Sequence, residues 1–249
     1  MNFVFDMDGT VCFDGMTIDN RLTSFLAEEI HQQDDHQLVF ASARPVRDML
    51  PLLPKDLKNC HLIGSNGAMH YSGLEAKWFE TIKKEDASYI REYVSHKQLD
   101  YLFDDKWNYA CQGDTLSLLR SRLDILKKAQ NVSITDVHEP VKILVSNYLN
   151  ETELMTDFAH LGVDCNIYPT ERCLDVTKTG VNKASAIERV LDGASYVAFG
   201  NDRNDKEMLR QASFGVGVGS SQEIKELANT MVDENPLEII QQVKQILAS

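Results

Sequence analysis

Two carboxylates stand one residue apart near the start of the chain, in Asn2-Phe3-Val4-Phe5-Asp6-Met7-Asp8-Gly9-Thr10. At that spacing Asp6 and Asp8 repel each other unless a cation or a shared proton relieves them. A hard cation such as Mg2+ can do so with oxygen ligands alone. A carboxylate on such a cation, facing a phosphoryl group, can attack phosphorus and become an aspartyl-phosphate. The second carboxyl can protonate the leaving oxygen and later take a proton from water. An acidic turn after a strand has the same spacing, and Asp-x-Asp alone does not separate the two. An EF-hand is ruled out, because the sixth loop position is Val11 where Gly is needed and the twelfth is Thr17 where Glu is needed.

Three further stretches carry residues of the same chemical kind. Gln37-Leu38-Val39-Phe40-Ala41 runs into Ser42-Ala43-Arg44-Pro45. The Ser42 hydroxyl can donate to a phosphate oxygen, or it can N-cap a helix that has Pro45 in its first turn. Thr179-Gly180-Val181-Asn182-Lys183 opens a helix with Ala186, Ile187, Val190 and Leu191 on its apolar face. A lysine in a first helical turn opposes the helix dipole. Lys183 is explained if an anion lies there, or else it is simply solvated. Ser195-Tyr196-Val197-Ala198-Phe199 runs into Gly200-Asn201-Asp202-Arg203-Asn204-Asp205, a second apolar run that ends in acids and amides.

The elements that must hold these residues follow from their flanks. Each apolar run is short and unbroken, as in a parallel strand buried on both faces, and each ends in polar or glycine residues. The chemistry would then sit at the carboxyl ends of strands, where open doubly wound α/β sheets place their ligands. Helices are expected over Ile18–His31, from Pro45 to about Leu53, and over Lys206–Ala212 and Pro236–Leu247. From about Ile82 the pattern changes. A polar amphipathic helix, Lys84–Lys97, precedes Leu99–Phe103 and Trp107–Cys111. A helix over Leu116–Ala129, strands at Val141–Val145, Asp164–Tyr168 and Cys173–Val176, and a helix at Thr152–Leu161 follow. Their two-residue alternation suits a sheet with one open face. Residues 82–177 are therefore expected to form an α+β domain inserted into a core of 1–81 and 178–249. Phe214-Gly215-Val216-Gly217-Val218-Gly219 does not match Gly-x-Gly-x-x-Gly, so no dinucleotide site is assigned.

Composition narrows the partners. The chain has 249 residues and a net charge of −13, with 38 acids against 25 Lys and Arg. That balance opposes broad binding to nucleic acid or an anionic membrane. It leaves room for a small phosphorylated metabolite at a local cation site. The five cysteines are odd in number and form no Cys-x-x-Cys, as expected of free thiols in a reducing cytoplasm. The histidines form no His-x-x-x-His, which disfavours zinc. No apolar stretch is long enough to span a bilayer and no signal peptide is seen, so a cytoplasmic protein is expected. Nothing in the pattern sets an oligomeric state.

Taken in order, Asp6-Met7-Asp8-Gly9-Thr10, Ser42-Ala43-Arg44, Lys183 and Gly200–Asp205 resemble the four motifs of the haloacid dehalogenase (HAD) superfamily of phosphohydrolases. The insertion resembles the type IIB cap of the Cof-like and sugar-phosphate phosphatases, as do Gly64-Ser65-Asn66-Gly67-Ala68 and Gly180-Val181-Asn182-Lys183. The resemblance implies a Rossmann-like α/β core with an α+β cap that chooses the substrate. It also implies a Mg2+-dependent phosphatase for small phosphate monoesters. Asp6 would be nucleophile and metal ligand. Asp8 would be the general acid/base, with its carbonyl on the metal. Ser42, Ala43, Arg44, Lys183 and Asn204 would hold the phosphoryl group. Asn201 and Asp205 would complete the metal set. The family usually has Asp where this chain has Asn201, which implies weaker Mg2+ binding, and Gly where it has Ala43. Phosphoryl transfer to another acceptor, as in a mutase, and a non-catalytic regulator with the same fold remain alternatives.

Overall fold

The computed structural model describes residues 1–116, 120–168 and 172–248. The chain divides into two compact units, Met1–Lys77 with Asn182–Ser249, and Trp78–Val181. The second therefore begins before the expected 82 and ends after the expected 177.

The first unit is built on a sheet whose strands are β1 (Asn2–Asp6), β2 (Gln37–Ala41), β3 (His61–Gly64), β4 (Met69–Ser72), β5 (Glu75–Phe79), β11 (Val197–Gly200), β12 (Phe214–Val218) and β13 (Thr230–Val232). Their order is β13-β12-β11-β1-β2-β3-β4-β5. From β13 to β3 all pairs are parallel, and β4 then runs antiparallel to β3. The chain lays β1, β2 and β3 outward in one direction and β11, β12 and β13 in the other. The reversal falls between β1 and β11, and it opens a crevice at their carboxyl ends.

β1 sits in mid-sheet because Phe3, Val4 and Phe5 are apolar on both faces and fully buried. Phe5 stacks on Phe199 of β11 with ring centroids 4.5 Å apart. Truncating such a buried ring costs ~3–5 kcal/mol, so the strand tip that carries Asp6 is rigidly placed. Helix α1 (Asn20–Leu26) packs with α8 (Pro236–Leu247), and α5 (Lys183–Val190) packs with α6 (Lys206–Gln211).

The helix expected to run to Leu53 is the short α2, Val46–Met49. Leu50 keeps helical dihedrals, but Pro51 lacks the N–H that would bond the Arg47 carbonyl in a longer helix. Pro45, not Ser42, is its N-cap. The helix expected over Ile18–His31 is α1 followed by a π-helical turn at Ala27–His31.

The second unit has strands β6 (Asp100–Asp104), β7 (Tyr109–Gln112), β8 (Lys142–Ser146), β9 (Val163–Tyr168) and β10 (Cys173–Lys178), in the order β7-β6-β8-β10-β9. Every registered pair is antiparallel. Helices α3 (Lys84–His96) and α4 (Glu151–Phe158) contribute Ile90, Val94, Leu154 and Phe158 to its main core, against Phe103, Ile143, Val145 and Leu174 of the strands. The helix expected over Leu116–Ala129 falls partly on 117–119, outside the described residues. Further on, Asp124 and Lys127 take left-handed φ values of 46° and 50°, which break a helix. Trp107 donates its indole N–H to the Lys128 carbonyl at 3.0 Å, and Tyr109 packs on the smaller cluster of Leu102, Leu116 and Leu144.

The remaining helix, α7, is Gln222–Lys225. Among the described residues the five cysteines are free, and no helix is long and apolar enough to cross a membrane.

Candidate functional site

β1 and β11 end side by side at the crevice, and the residues that follow them meet there. Gly9 turns the first loop with φ +79°. A Cβ on it would lie 2.0 Å from Asn201 Nδ2, so only glycine lets the loops after β1 and β11 come this close.

At the centre is a buried ion cluster. Lys183 Nζ donates to Asp6 Oδ1 at 2.5 Å and to Asp205 Oδ1 at 2.6 Å. Lys183 is 1% exposed, Asp6 4% and Asp205 0%. Lys183 is the first residue of α5, whose Asn182 cap forms a reciprocal box with Ser185. Its placement against the dipole is offset by two carboxylates rather than by solvent. Burial pulls the Lys183 ammonium toward neutrality, but Asp205 and Asp6 outweigh it and raise its pKa. The Asp6 carboxyl is pushed up, first by burial and then by the Asp205 charge, against the pull of Lys183. Two carboxylates on one ammonium leave a negative charge in excess.

Asp205 also accepts through Oδ2 from the backbone N–H groups of Asn201, at 2.9 Å, and Asp202, at 3.1 Å. It therefore fixes the loop after β11. Asp202 is exposed and caps the short turn Arg203–Asp205, so its carboxylate is occupied outside the cluster.

Asn201 lies over the other face of Asp6. Its Oδ1 accepts from the Thr10 hydroxyl at 3.1 Å. The same end of the amide lies 3.0 Å from the Asp8 carbonyl oxygen and 3.1 Å from Asp6 Oδ2. Turned by 180°, the amide nitrogen stands 3.0–3.1 Å from all three of those oxygens and can give its two protons to two of them.

The loop after β2 supplies Ser42, Ala43 and Arg44. The Ser42 N–H is tied to the Ile63 carbonyl at 2.9 Å. Its hydroxyl accepts from the Arg44 N–H at 3.1 Å, which leaves the hydroxyl proton as a donor. Arg44 donates from Nε to Asp8 Oδ2 at 2.6 Å and from its second nitrogen to Asp8 Oδ1, forming a fork on both oxygens. It also holds the Gly15 carbonyl at 2.7 Å. Asn204 donates to Asn66 Oδ1 at 3.0 Å.

The structure thus brings together Asp6, Asn201, Asp205 and Lys183 around one point, with the Asp8 carbonyl beside them. It sends the Asp8 side chain to Arg44, and it connects Asn204 to the turn after β3. Thr10 and Asn66 were not singled out from the sequence. Thr10 sits inside the Asp-x-Asp-Gly-Thr string, so position was a usable signal. Asn66 is visible in sequence as an Asn-Gly turn and as part of the Gly64–Ala68 stretch that resembles the subfamily, neither of which assigns it a contact. Among the described residues no three His, Cys, Asp or Glu side chains form a metal-binding group. The oxygen set here is instead one carboxylate, one carbonyl and one amide.

A carboxylate, a carbonyl and an amide oxygen are donors of the kind a hard cation takes. Two neighbouring ligands of an octahedral cation, each about 2.1 Å away, stand about 3.0 Å apart. That is the separation between the Asn201 amide and both the Asp8 carbonyl and Asp6 Oδ2.

The chain matches the family model of the haloacid dehalogenase-like hydrolases over residues 3–239, and it belongs to that family. Among its relatives, the HMP-PP phosphatase of Yersinia enterocolitica is 27% identical over 247 residues, covering 87% of this chain and 83% of the relative. That of Cronobacter sakazakii is 28% identical over 239 residues, with the same coverage. A HAD subclass IIB sugar phosphatase has the same fold, with a TM-score of 0.77 at 21% identity, over 98% of both chains. A haloacid dehalogenase-like hydrolase from Bacteroides thetaiotaomicron superposes with a TM-score of 0.80 at 20% identity, again over 98% of both. By family the chain is a hydrolase, and it shares the fold of those solved structures.

Proposed function

We propose that this protein is a phosphatase that hydrolyses small phosphorylated metabolites, phosphate monoesters such as sugar phosphates or the diphosphate HMP-PP among them, through a phosphorylated Asp6, with Mg2+ as cofactor. The observation that carries the reading is the buried Asp6–Lys183–Asp205 cluster beside the facing oxygens of Asn201, Asp8 and Asp6. Asp6, the Asp8 carbonyl and Asn201 would hold the cation, with Asp205 supporting them from behind. When bound, Mg2+ supplies positive charge against the phosphoryl oxygens and relieves the excess negative charge of the cluster.

The chain's own residues do the rest. Lys183 holds Asp6 in place and offsets charge that builds on phosphorus. An Asp6 oxygen forms a bond to phosphorus as the ester P–O bond breaks, and the departing oxygen takes the proton of Asp8. A water then bonds to phosphorus, Asp8 takes its proton, and the Asp6–phosphorus bond breaks to restore the carboxylate. Ser42 donates its hydroxyl proton to a phosphoryl oxygen, and the loop of Ala43 and Arg44 shapes the cradle. Asn204 completes it.

The Arg44 fork fixes the orientation of the Asp8 carboxyl and leaves a further lone pair on each oxygen, which can take the proton from water or carry the one given to the leaving group. The inserted unit is proposed as the cap that selects the substrate.

The test is phosphate release from a panel that includes sugar phosphates and HMP-PP, with Mg2+ and with EDTA, for wild type and Asp6→Asn. Release that needs Mg2+ and vanishes in the variant is expected. Equal release by Asp6→Asn, or release unchanged in EDTA, would overturn the reading.

A further inference from the structure

The turn after β3 makes a departure that strand geometry does not require. Ser65, Asn66 and Gly67 follow one another with φ of +51°, +56° and +102°. Two consecutive non-glycine residues in the left-handed region each cost of order 1 kcal/mol. The Ser65 hydroxyl is buried without a hydrogen-bond partner, which adds to the cost. Such a turn persists only where the surroundings fix it, and what it touches shows why it is kept.

Its contacts reach three of the four loops that form the site. The Ser65 N–H donates to the Arg44 carbonyl at 2.8 Å, and the Asn66 N–H donates to the Ser42 carbonyl at 3.0 Å. The left-handed backbone aims both donors at the same loop. The Asn66 side chain, 4% exposed, takes the Asn204 amide at 3.0 Å. Gly67 lies flush on the start of α5, where a Cβ would stand 2.2 Å from the Asn182 carbonyl and 3.2 Å from the Lys183 nitrogen. Of the cluster, the turn meets Lys183 at its backbone nitrogen.

We propose that Asn66 is a positioning residue for phosphoryl transfer, whose side chain fixes the orientation of the Asn204 amide while its backbone fixes the Ser42 loop. This rests on the phosphatase reading above. With one N–H of Asn204 committed to Asn66, the remaining amide atoms point in one set direction. Without Asn66 the amide can rotate freely. The loss then falls on the step that needs orientation rather than on substrate capture.

The experiment is a cycle of Asn66→Gly, Asn204→Ala and the double variant. Glycine adopts the left-handed backbone without strain, so Asn66→Gly keeps the backbone bonds and removes only the amide. The melting temperature is expected to stay within a few degrees of wild type, with kcat down about tenfold and KM changed less than threefold. The double variant should be no slower than Asn204→Ala alone, because both remove the same interaction. Asn66→Asp, which keeps an acceptor in place, should recover most of kcat while its added charge raises KM.

A kcat within twofold of wild type in Asn66→Gly, or losses that multiply in the double variant, overturns the proposal. So does a folded Asn66→Asp as slow as the glycine variant. The Asn204 side-chain amide resonance of labelled protein reads the contact without turnover. It should move in Asn66→Gly, and an unmoved signal also overturns the proposal. A moved signal in a protein whose wild type releases no phosphate would count against the phosphatase reading alone.

Discussion

Replacing Asn201 by Asp tests the cation site most directly. In the metal-free protein the wild-type amide can turn and donate to two of the three oxygens of the Asp8 carbonyl, Asp6 Oδ2 and Thr10, within 3.0–3.1 Å of each. A carboxylate there donates nothing. Losing those neutral bonds costs roughly 2–3 kcal/mol in all. A second negative charge at 3–4 Å from Asp6 adds repulsion of about 4 kcal/mol at an effective dielectric of 20, partly offset by Lys183. Asn201→Asp should therefore melt several degrees lower than wild type in EDTA. With Mg2+ the same charge becomes a ligand, and the repulsion turns into affinity. Even if most of it is lost to solvation and to partial protonation, a gain of at least ~1.4 kcal/mol, or tenfold in Kd, is expected. Titration calorimetry of EDTA-stripped protein with MgCl2 at fixed ionic strength gives the Kd, and thermal melts with and without Mg2+ give the rest. An unchanged Kd together with an unchanged melting temperature in EDTA would refute the placement of Asn201 against the cation.

Asp6→Asn should lower turnover by about a thousandfold or more while the protein stays folded, because Lys183 keeps Asp205 as a partner; circular dichroism and phosphate release check the two halves. Arg44→Lys should cut kcat by about tenfold, since one ammonium cannot span both oxygens of Asp8 and the Gly15 carbonyl, and a wild-type kcat would remove Arg44 from the mechanism. His61 and His70 meet at 3.1 Å through ring nitrogens. Burial and then the neighbouring His61 push His70 down to about 4, so the folded state resists a proton that the unfolded chain takes up below ~6.5. Stability should then fall as pH drops from 6.5 to 4, by up to about 3 kcal/mol, and His70→Gln should flatten that slope in urea melts; an equally steep slope would exclude the pair. Gly67→Ala should cost more than ~2 kcal/mol by the same melts, because its Cβ would meet backbone rather than a side chain that can move aside.

The strand tips were legible because a buried parallel strand is written as an unbroken apolar run. Phe3–Phe5 and Leu38–Ala41 stop at a polar residue and Val197–Phe199 at Gly200, and so the sequence could place Asp6, Ser42 and Asn201 at one edge. The order of those strands was not written in any of them. It arises from the chain's reversal around β1, and that reversal is what sets Lys183 between Asp6 and Asp205. Local reading could weigh Lys183 only against its own helix dipole. The Arg44 fork on Asp8 and the Asn204–Asn66 contact are long-range pairs with no periodic signature. The helix expected to run to about Leu53 stops at Met49 instead, because Pro51 has no N–H with which to continue it.

The mid-sheet position of β1 has a consequence for synthesis. Its two neighbours lie far apart in the chain, β2 at 37–41 and β11 at 197–200. As the protein leaves the ribosome, one flank of the first strand therefore waits for nearly the whole chain, with Phe3 and Phe5 half covered. The segment 78–181 pairs only its own strands in its sheet and can close much earlier. A released chain truncated near residue 190 should carry a protease-resistant middle flanked by cleavable sequence. Asp6 and Asp205 could share Lys183 only once the chain had emerged past residue 205, so the reactive carboxylate would be assembled late in folding.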